Sequence, residues 1–268
     1  MRELTERAYY RLCLALGRLL RAGRYSRARI VDHVQVRKRR LFYAPLLVWL
    51  GDPLVRLLDT SVRVLPQREW EERERLVYDS LYNTSIRIDA DGTLALPRLA
   101  GNTLATLLDD PALGHAARNR AIELAVVALA DFHAVGFTHG DAMAENVMID
   151  LDAGVAHWFD FETIHDSSRP MAWRRADDLR ALLASCVVRT VPEKLPETLQ
   201  LILDAYADVG VTRLVAASFA SVFRRPLTFH LGQAPLSVQA FREIGRLLRA
   251  RLGSGIDTAS EPVSPRML

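Results

Sequence analysis

Changes in the spacing of apolar positions divide this chain into segments of different character. In "LTERAYYRLCLALGRLLRAG", Leu4, Ala8, Leu12, Ala15, Leu16 and Leu19 recur at helical spacing, and Gly23 marks the predicted end of that helix. "ARIVDHVQVRKRRLFYA" is rich in Val and Ile and partly alternates, the pattern of one or two strands. "PLLVWLGDPLVRLL" is an apolar stretch interrupted by Gly51 and Pro53, which predicts two short helical pieces. "QREWEERERLVYDSLY" is a charged helix with Trp70, Val77 and Leu81 at near-helical offsets. "SIRIDADGTLALPRL" reads as two short strands joined at "DADG", a hairpin.

Beyond residue 100 the helical period dominates. "GNTLATLLDD" and the long, mostly apolar "GHAARNRAIELAVVALADFHAVG" are predicted helices. "NVMID" and "VAHWFDF" interrupt them as short strands around an Asp-Ala-Gly turn. From Trp173 onward four more helical patterns follow: "RRADDLRALLASCVV", "LPETLQLILDAYADVG", "VTRLVAASFASVF" and "SVQAFREIGRLLRARL". The final "GSGIDTASEPVSPRML" mixes Gly, Ser and Pro and is expected to be a disordered tail. Strands in the first third and helices in the remainder predict an α+β chain in two parts, with a seam near residues 98–102.

Composition narrows the setting. Half of the 268 residues are hydrophobic, enough for a substantial core. Cys13 and Cys186 lie far apart, which argues against a disulfide framework or zinc knuckle and suits a reducing cytoplasm. No apolar run is long enough to predict a membrane span. Glu3, Glu6, Arg7 and Arg11 interrupt what a signal peptide would need to be apolar. The net charge of +3 conceals an asymmetry: residues 1–40 carry twelve Lys/Arg against three Asp/Glu, the remainder 23 against 29. A basic arm on an acidic body predicts affinity for something anionic, or else a solvated helix face.

Candidate chemistry concentrates in residues 138–162, "THGDAMAENVMIDLDAGVAHWFDFE". Phosphoryl transfer needs a carboxylate near the acceptor hydroxyl, and a carboxamide with a second carboxylate to hold a metal ion against the nucleotide phosphates. Asp141 and Asn146 on one loop, with Asp160 after the next strand, would bring three such oxygen-bearing groups to one rim. "GFTHGDAMAENVMID" and "WFDFE" resemble the catalytic loop and metal-binding loop of the protein kinase-like superfamily. "DFHAVGFTHGD" is similar to the LHxxGxxHGD stretch of its small bacterial branches, with Phe132 in place of Leu: lipopolysaccharide-core kinases, aminoglycoside phosphotransferases and RIO-type kinases.

The resemblance, which covers roughly residues 31–190, implies a two-lobed kinase-like fold. Its parts would be a basic helical extension (1–30), a small strand-containing nucleotide-binding lobe (31–98), a mainly helical catalytic lobe (99–252) and the tail (253–268). It implies ATP and Mg²⁺ as cofactors. Asp141 would be the catalytic base, with His139 bracing the same loop, and Asn146 and Asp160 the Mg²⁺ ligands. Asp178 in "WRRADDLRALL", with Asp177 in reserve, would tie down the catalytic loop backbone. Lys38 would grip the nucleotide phosphates, held by Glu74, with Glu71 and Glu72 as alternatives. The backbone of Leu96 and Arg98 would meet the adenine.

No glycine-rich loop precedes Lys38, so Arg37, Arg39 or Arg40 is expected on the phosphates instead. The metal loop ends in Glu162 where many kinases have Gly. The implied activity is phosphorylation of an alcohol on a sugar, glycolipid precursor or protein. It would take place in the cytoplasm, with the basic first helix touching an anionic acceptor or the inner membrane face; no specific nucleic acid is expected. Two other readings remain open. One is a pseudokinase acting as a binding module. The other is a metal-dependent phosphohydrolase drawing on His133, His139, Asp141, His157, Asp160, His165 and Asp166.

Overall fold

The computed structural model describes residues 26–43, 62–220 and 236–252. The predicted first helix, the helical pieces at 45–58 and the tail lie outside the described residues. Within them the chain is α+β, with small antiparallel sheets and seven α-helices.

The first sheet has four strands in the order β1-β2-β5-β4: β1 (Ser26–Ile30), β2 (Gln35–Arg40), β4 (Arg87–Ile88) and β5 (Leu94–Pro97). Strand β1 corrects the expected division at residue 30. Residues 26–30 are not part of a helical extension but pair with β2 over their whole length, Ser26 opposite Arg40 and Ile30 opposite Val36. Asp32 makes the connection tight by accepting from the amides of Val34 (2.8 Å) and Gln35 (2.9 Å), so the sheet begins earlier than the apolar pattern announced. The predicted β4–β5 hairpin turns at Asp89–Gly92, where Gly92 adopts φ +75° and donates to the Asp89 carbonyl.

Helix α1 (Gln67–Tyr82) packs under this sheet. Its buried positions are Trp70, Glu74, Val77 and Tyr78, an i, i+4, i+7, i+8 stripe, and Asn83 closes it in the left-handed conformation. Three short strands escaped the sequence patterns. β3 (Val62–Val64) pairs antiparallel with β9 (Thr163–His165), joining segments a hundred residues apart. β6 (Asn102–Thr103) completes a three-stranded sheet with β7 (Val147–Asp150) and β8 (Val155–Trp158).

After β5 the chain crosses from the four-stranded sheet to the helices at Gly101, φ +89°. A Cβ there would stand 1.9 Å from the Ile149 carbonyl oxygen, so this crossing needs glycine. The short α2 (Leu104–Asp109), capped by the Thr103 hydroxyl, leads to α3 (His115–Ala134). Helix α3 has apolar residues almost all round and is correspondingly central. Helices α4 (Met171–Val187) and α5 (Leu195–Tyr206) pack against it, α6 (Val209–Ser218) packs on α4, and α7 (Val238–Leu252) packs on α5 and α6. One apolar core runs from Trp70 and Leu94 through Phe132 and Phe161 to Ile202 and Ile244. Phe161 stacks on Phe132 (5.6 Å) and meets Tyr78 edge-on (6.3 Å), so the segment after β8 is anchored to both α3 and α1.

Candidate active site

The loop between α3 and β7 is held from behind by one carboxylate. Asp178 on α4 is fully buried and accepts from the backbone amides of His139 (2.6 Å) and Gly140 (2.8 Å). It also receives His133 Nε2 at 3.0 Å, whose Nδ1 in turn meets the Tyr206 hydroxyl at 2.7 Å. Burial alone would raise the Asp178 carboxyl, but the surrounding histidines and these donors hold it well below the usual carboxylate range. Asp177, one residue earlier, serves a different partner, His165 Nε2 at 3.0 Å. Gly140 (φ +81°) lies against the backbone of Ile164 and the side chain of Thr163, with little room for a Cβ.

His139 is buried, and both ring nitrogens are engaged: Nε2 donates to the Phe159 carbonyl (2.9 Å), and Nδ1 faces the Asp141 amide (3.3 Å). Burial pulls its pKa down to about 4, so it is neutral and its tautomer is fixed. It therefore braces two loops and does not line the cavity, which removes it from the groups able to move a proton there.

Asp141, Asn146 and Asp160 do share a cavity of about 1160 Å³ with Lys38 and Glu162. Asn146 Nδ2 donates to the Asp141 carbonyl (2.8 Å) and to its Oδ2 (3.0 Å), which leaves the amide oxygen of Asn146 as its outward acceptor. Asp160 sits at φ +69°, a left-handed conformation uncommon for a residue other than glycine. Lys38 is buried among three carboxylates: Asp160 Oδ1 at 2.5 Å, Glu74 Oε1 at 3.1 Å and Glu162 Oε1 at 3.1 Å. Burial would lower the Lys38 ammonium, but the three acids outweigh it and hold it well above its ordinary value. Burial likewise opposes ionisation of Asp160, yet Lys38 keeps that carboxyl low, whereas burial raises Glu162.

Glu74 stands behind Lys38, completely buried and receiving Trp70 Nε1 at 3.0 Å. The alternatives do not reach the lysine: Glu72 is exposed, and Glu71 bonds Gln67 against the β4–β5 turn at Gly92. The expected role of neighbouring arginines also changes. Strand alternation turns Arg37 and Arg39 to the opposite face, onto Asp89 and Asp91, while Arg40 lies over the Trp70 ring. Leu96 and Arg98 line the cavity as expected, but the Arg98 amide donates to the Val34 carbonyl (2.8 Å) and is not offered to a ligand.

Carboxylate and carboxamide oxygens are the donor type that a hard divalent cation takes. Asp141, Asp160, Glu162 and the Asn146 amide oxygen converge on one cavity whose wall holds Lys38 as counter-charge, and three acids compete for that one ammonium. The histidines do not join them. His133 and His165 are tied to Tyr206, Asp178 and Asp177, and His157 sits edge-on to Tyr82. Among the described residues no three His, Cys, Asp or Glu form a preset metal-holding group. Glu162 as a partner of Lys38, and Arg73 reaching from α1 to the Thr138 carbonyl (2.7 Å), had no expression in the sequence patterns. No helix among the described residues is long and apolar enough to cross a membrane. Comparison of the chain with family models, with curated proteins and with solved structures finds no match.

Proposed function

We propose that the chain is an ATP- and Mg²⁺-dependent phosphotransferase of the two-lobed protein kinase-like fold, acting on an alcohol. One observation carries the reading: residues from three distant segments, Lys38 on β2, Asp141 with Asn146 on the α3–β7 loop, and Asp160 after β8, face one cavity. Glu74 stands directly behind the lysine. A purely structural account has no use for a buried lysine shared by three acids beside an Asp–Asn pair.

In this reading Asn146 and Asp160 hold the metal ion, which when bound neutralises phosphate charge. Lys38, kept protonated by its acids, meets the phosphate oxygens of the nucleotide. Asp141 accepts a hydrogen bond from the acceptor hydroxyl and orients it, while its neighbour Asn146 fixes the carboxylate. Ile30, Val36 and Leu96 on one side and Met148 on the other supply an apolar slot for a base. Catalysis then rests on positioning and charge complementarity. The acceptor is a sugar, a glycolipid precursor or a protein hydroxyl.

A binding module without turnover is favoured by one observation, the engaged Arg98 amide, which leaves fewer backbone groups for adenine. The phosphohydrolase reading draws no support from His133, His139 and His165, which are hydrogen-bonded elsewhere, or from His157, which lies against Tyr82. Calorimetric titration with Mg-ATP, with ATP turnover measured alongside, tests the proposal. Wild type is expected to bind and turn over slowly, Asp160→Ala to lose Mg-nucleotide binding, and Asp141→Asn to bind without turnover. Nucleotide affinity unchanged in Asp160→Ala would refute the site. Binding with no turnover on any acceptor would select the binding module.

A further inference from the structure

The face of the four-stranded sheet turned away from the cavity carries an arrangement that the proposed phosphotransferase site does not use. In the β1–β2 register Arg27 lies opposite Arg39 and Arg29 opposite Arg37. The next pairings, Arg37 with Ala95 and Ala95 with Arg87, extend the second row across the sheet. Alternation therefore puts five arginines on one face, and their side chains stay out in solvent: Arg39 is 63% and Arg87 68% exposed. Asp89 and Asp91 offset part of this charge through Arg37, Arg87 and Arg39. Arg27 and Arg29 form no ion pair among the described residues and are exposed.

Like charges directly opposite each other weaken an antiparallel ladder, so this face works against the sheet's own stability unless an anionic partner neutralises it. The apolar residues at its end point to the kind of partner. Val31 and Val34, in the β1–β2 turn, are 50% and 73% exposed, beside the arginine rows. Guanidinium rows ending in bare aliphatic side chains match an interface where phosphate headgroups overlie hydrocarbon. A nucleic acid would instead ask for aromatic side chains to stack on among the guanidiniums; the exposed Phe42 lies beyond the end of β2, and Ala95, which separates Arg37 from Arg87, is buried.

We propose that this outer sheet face docks the protein on an anionic lipid bilayer, with the β1–β2 turn entering the headgroup layer. Of the five arginines only Arg27 also borders the cavity, at its rim, and the inference does not rest on the phosphotransferase reading. Docking would leave the cavity on the opposite side of the sheet open to solutes.

The test is sedimentation of the full chain with vesicles of equal parts phosphatidylglycerol and phosphatidylcholine, against vesicles of phosphatidylcholine alone. Each arginine near an anionic surface contributes about fivefold in affinity, so Arg27→Ala with Arg29→Ala should weaken binding roughly 25-fold. Arg27→Lys with Arg29→Lys should bind like wild type, because the bilayer reads charge and not the guanidinium fork. Val34→Asp should weaken binding further, and raised salt should abolish it. Asp160→Ala, which addresses the cavity, should leave vesicle binding intact. Wild-type vesicle binding by the double alanine variant would overturn the proposal. So would equal binding to both vesicle types, or displacement from vesicles by duplex RNA that binds more tightly.

Discussion

Replacing Asp178 on α4 with Ala should damage the protein more than any single change within the α3–β7 loop that it holds. The carboxylate accepts two backbone amides and one imidazole in a site with no exposure. A hydrogen bond to a charged group contributes about 1.5–3 kcal/mol, and an amide left buried without a partner costs about 1–3 kcal/mol. Two orphaned amides and a stranded His133 therefore imply a loss of about 4 kcal/mol after some relaxation, against a total stability of roughly 5–15 kcal/mol. At a slope of about 2–3 kcal/mol per molar urea, the unfolding midpoint should fall by roughly 1.5–2 M. Asp178→Asn keeps one oxygen for one amide but presents its NH2 to the other donors, so it should lose about half as much. Equilibrium urea unfolding followed by tryptophan fluorescence measures both, and hydrogen exchange at His139 and Gly140 reports the freed amides directly. A loss below about 1 kcal/mol for the alanine variant, or an Asn variant as stable as wild type, would refute the assignment of Asp178 as the holder of this loop.

Other outcomes follow from the same contacts. His139 is held at a pKa of about 4, below its unfolded value near 6.5, so its contribution is complete above that value and is lost as pH falls through the window to 4. That is roughly 3 kcal/mol; urea midpoints should drop steadily over this range and flatten in His139→Gln. Gly101→Ala should lower stability by at least about 3 kcal/mol, read as a fall in thermal midpoint, because its Cβ would collide with the Ile149 carbonyl. Lys38→Met strands three acids and should cost about 3–5 kcal/mol at pH 8, a deficit relative to wild type that shrinks toward pH 5 as the raised Glu162 carboxyl takes a proton.

What the sequence revealed depended on how local each cause is. The β4–β5 hairpin was legible because its turn chemistry sits inside "DADG", and α1 because its apolar stripe repeats every turn. The same stripe also distinguishes Glu74 from Glu71 and Glu72, since only Glu74 falls four residues after Trp70 on the buried line. Lys38 is hidden in composition, between Arg37, Arg39 and Arg40, but visible in period: alternation sends 37 and 39 outward and 38 inward. β3 and β9 left no trace, because three residues carry no period and their partner is a hundred residues away. In the sequence Glu162 stands out only as a departure at the end of a loop, and only the fold brings its carboxylate to Lys38.

The β3–β9 ladder also limits which parts of the molecule can move separately. Leu65 donates to the Glu162 carbonyl at 2.8 Å, and two residues later α1 begins, carrying Glu74. Arg73 and Tyr82 fasten the same helix to the Thr138 and Trp158 carbonyls. The helix bearing Glu74, the loop bearing Asp160 and the loop bearing Asp141 are thus stitched into one body. The four-stranded sheet meets this body through the ion pairs of Lys38, the short link from α1 into β4 and the crossing at Gly101. Swinging α1 away on its own would strain the β3–β9 ladder and break the Arg73 and Tyr82 anchors, so among the described residues Glu74, Asp160 and Asp141 keep their spacing as a set.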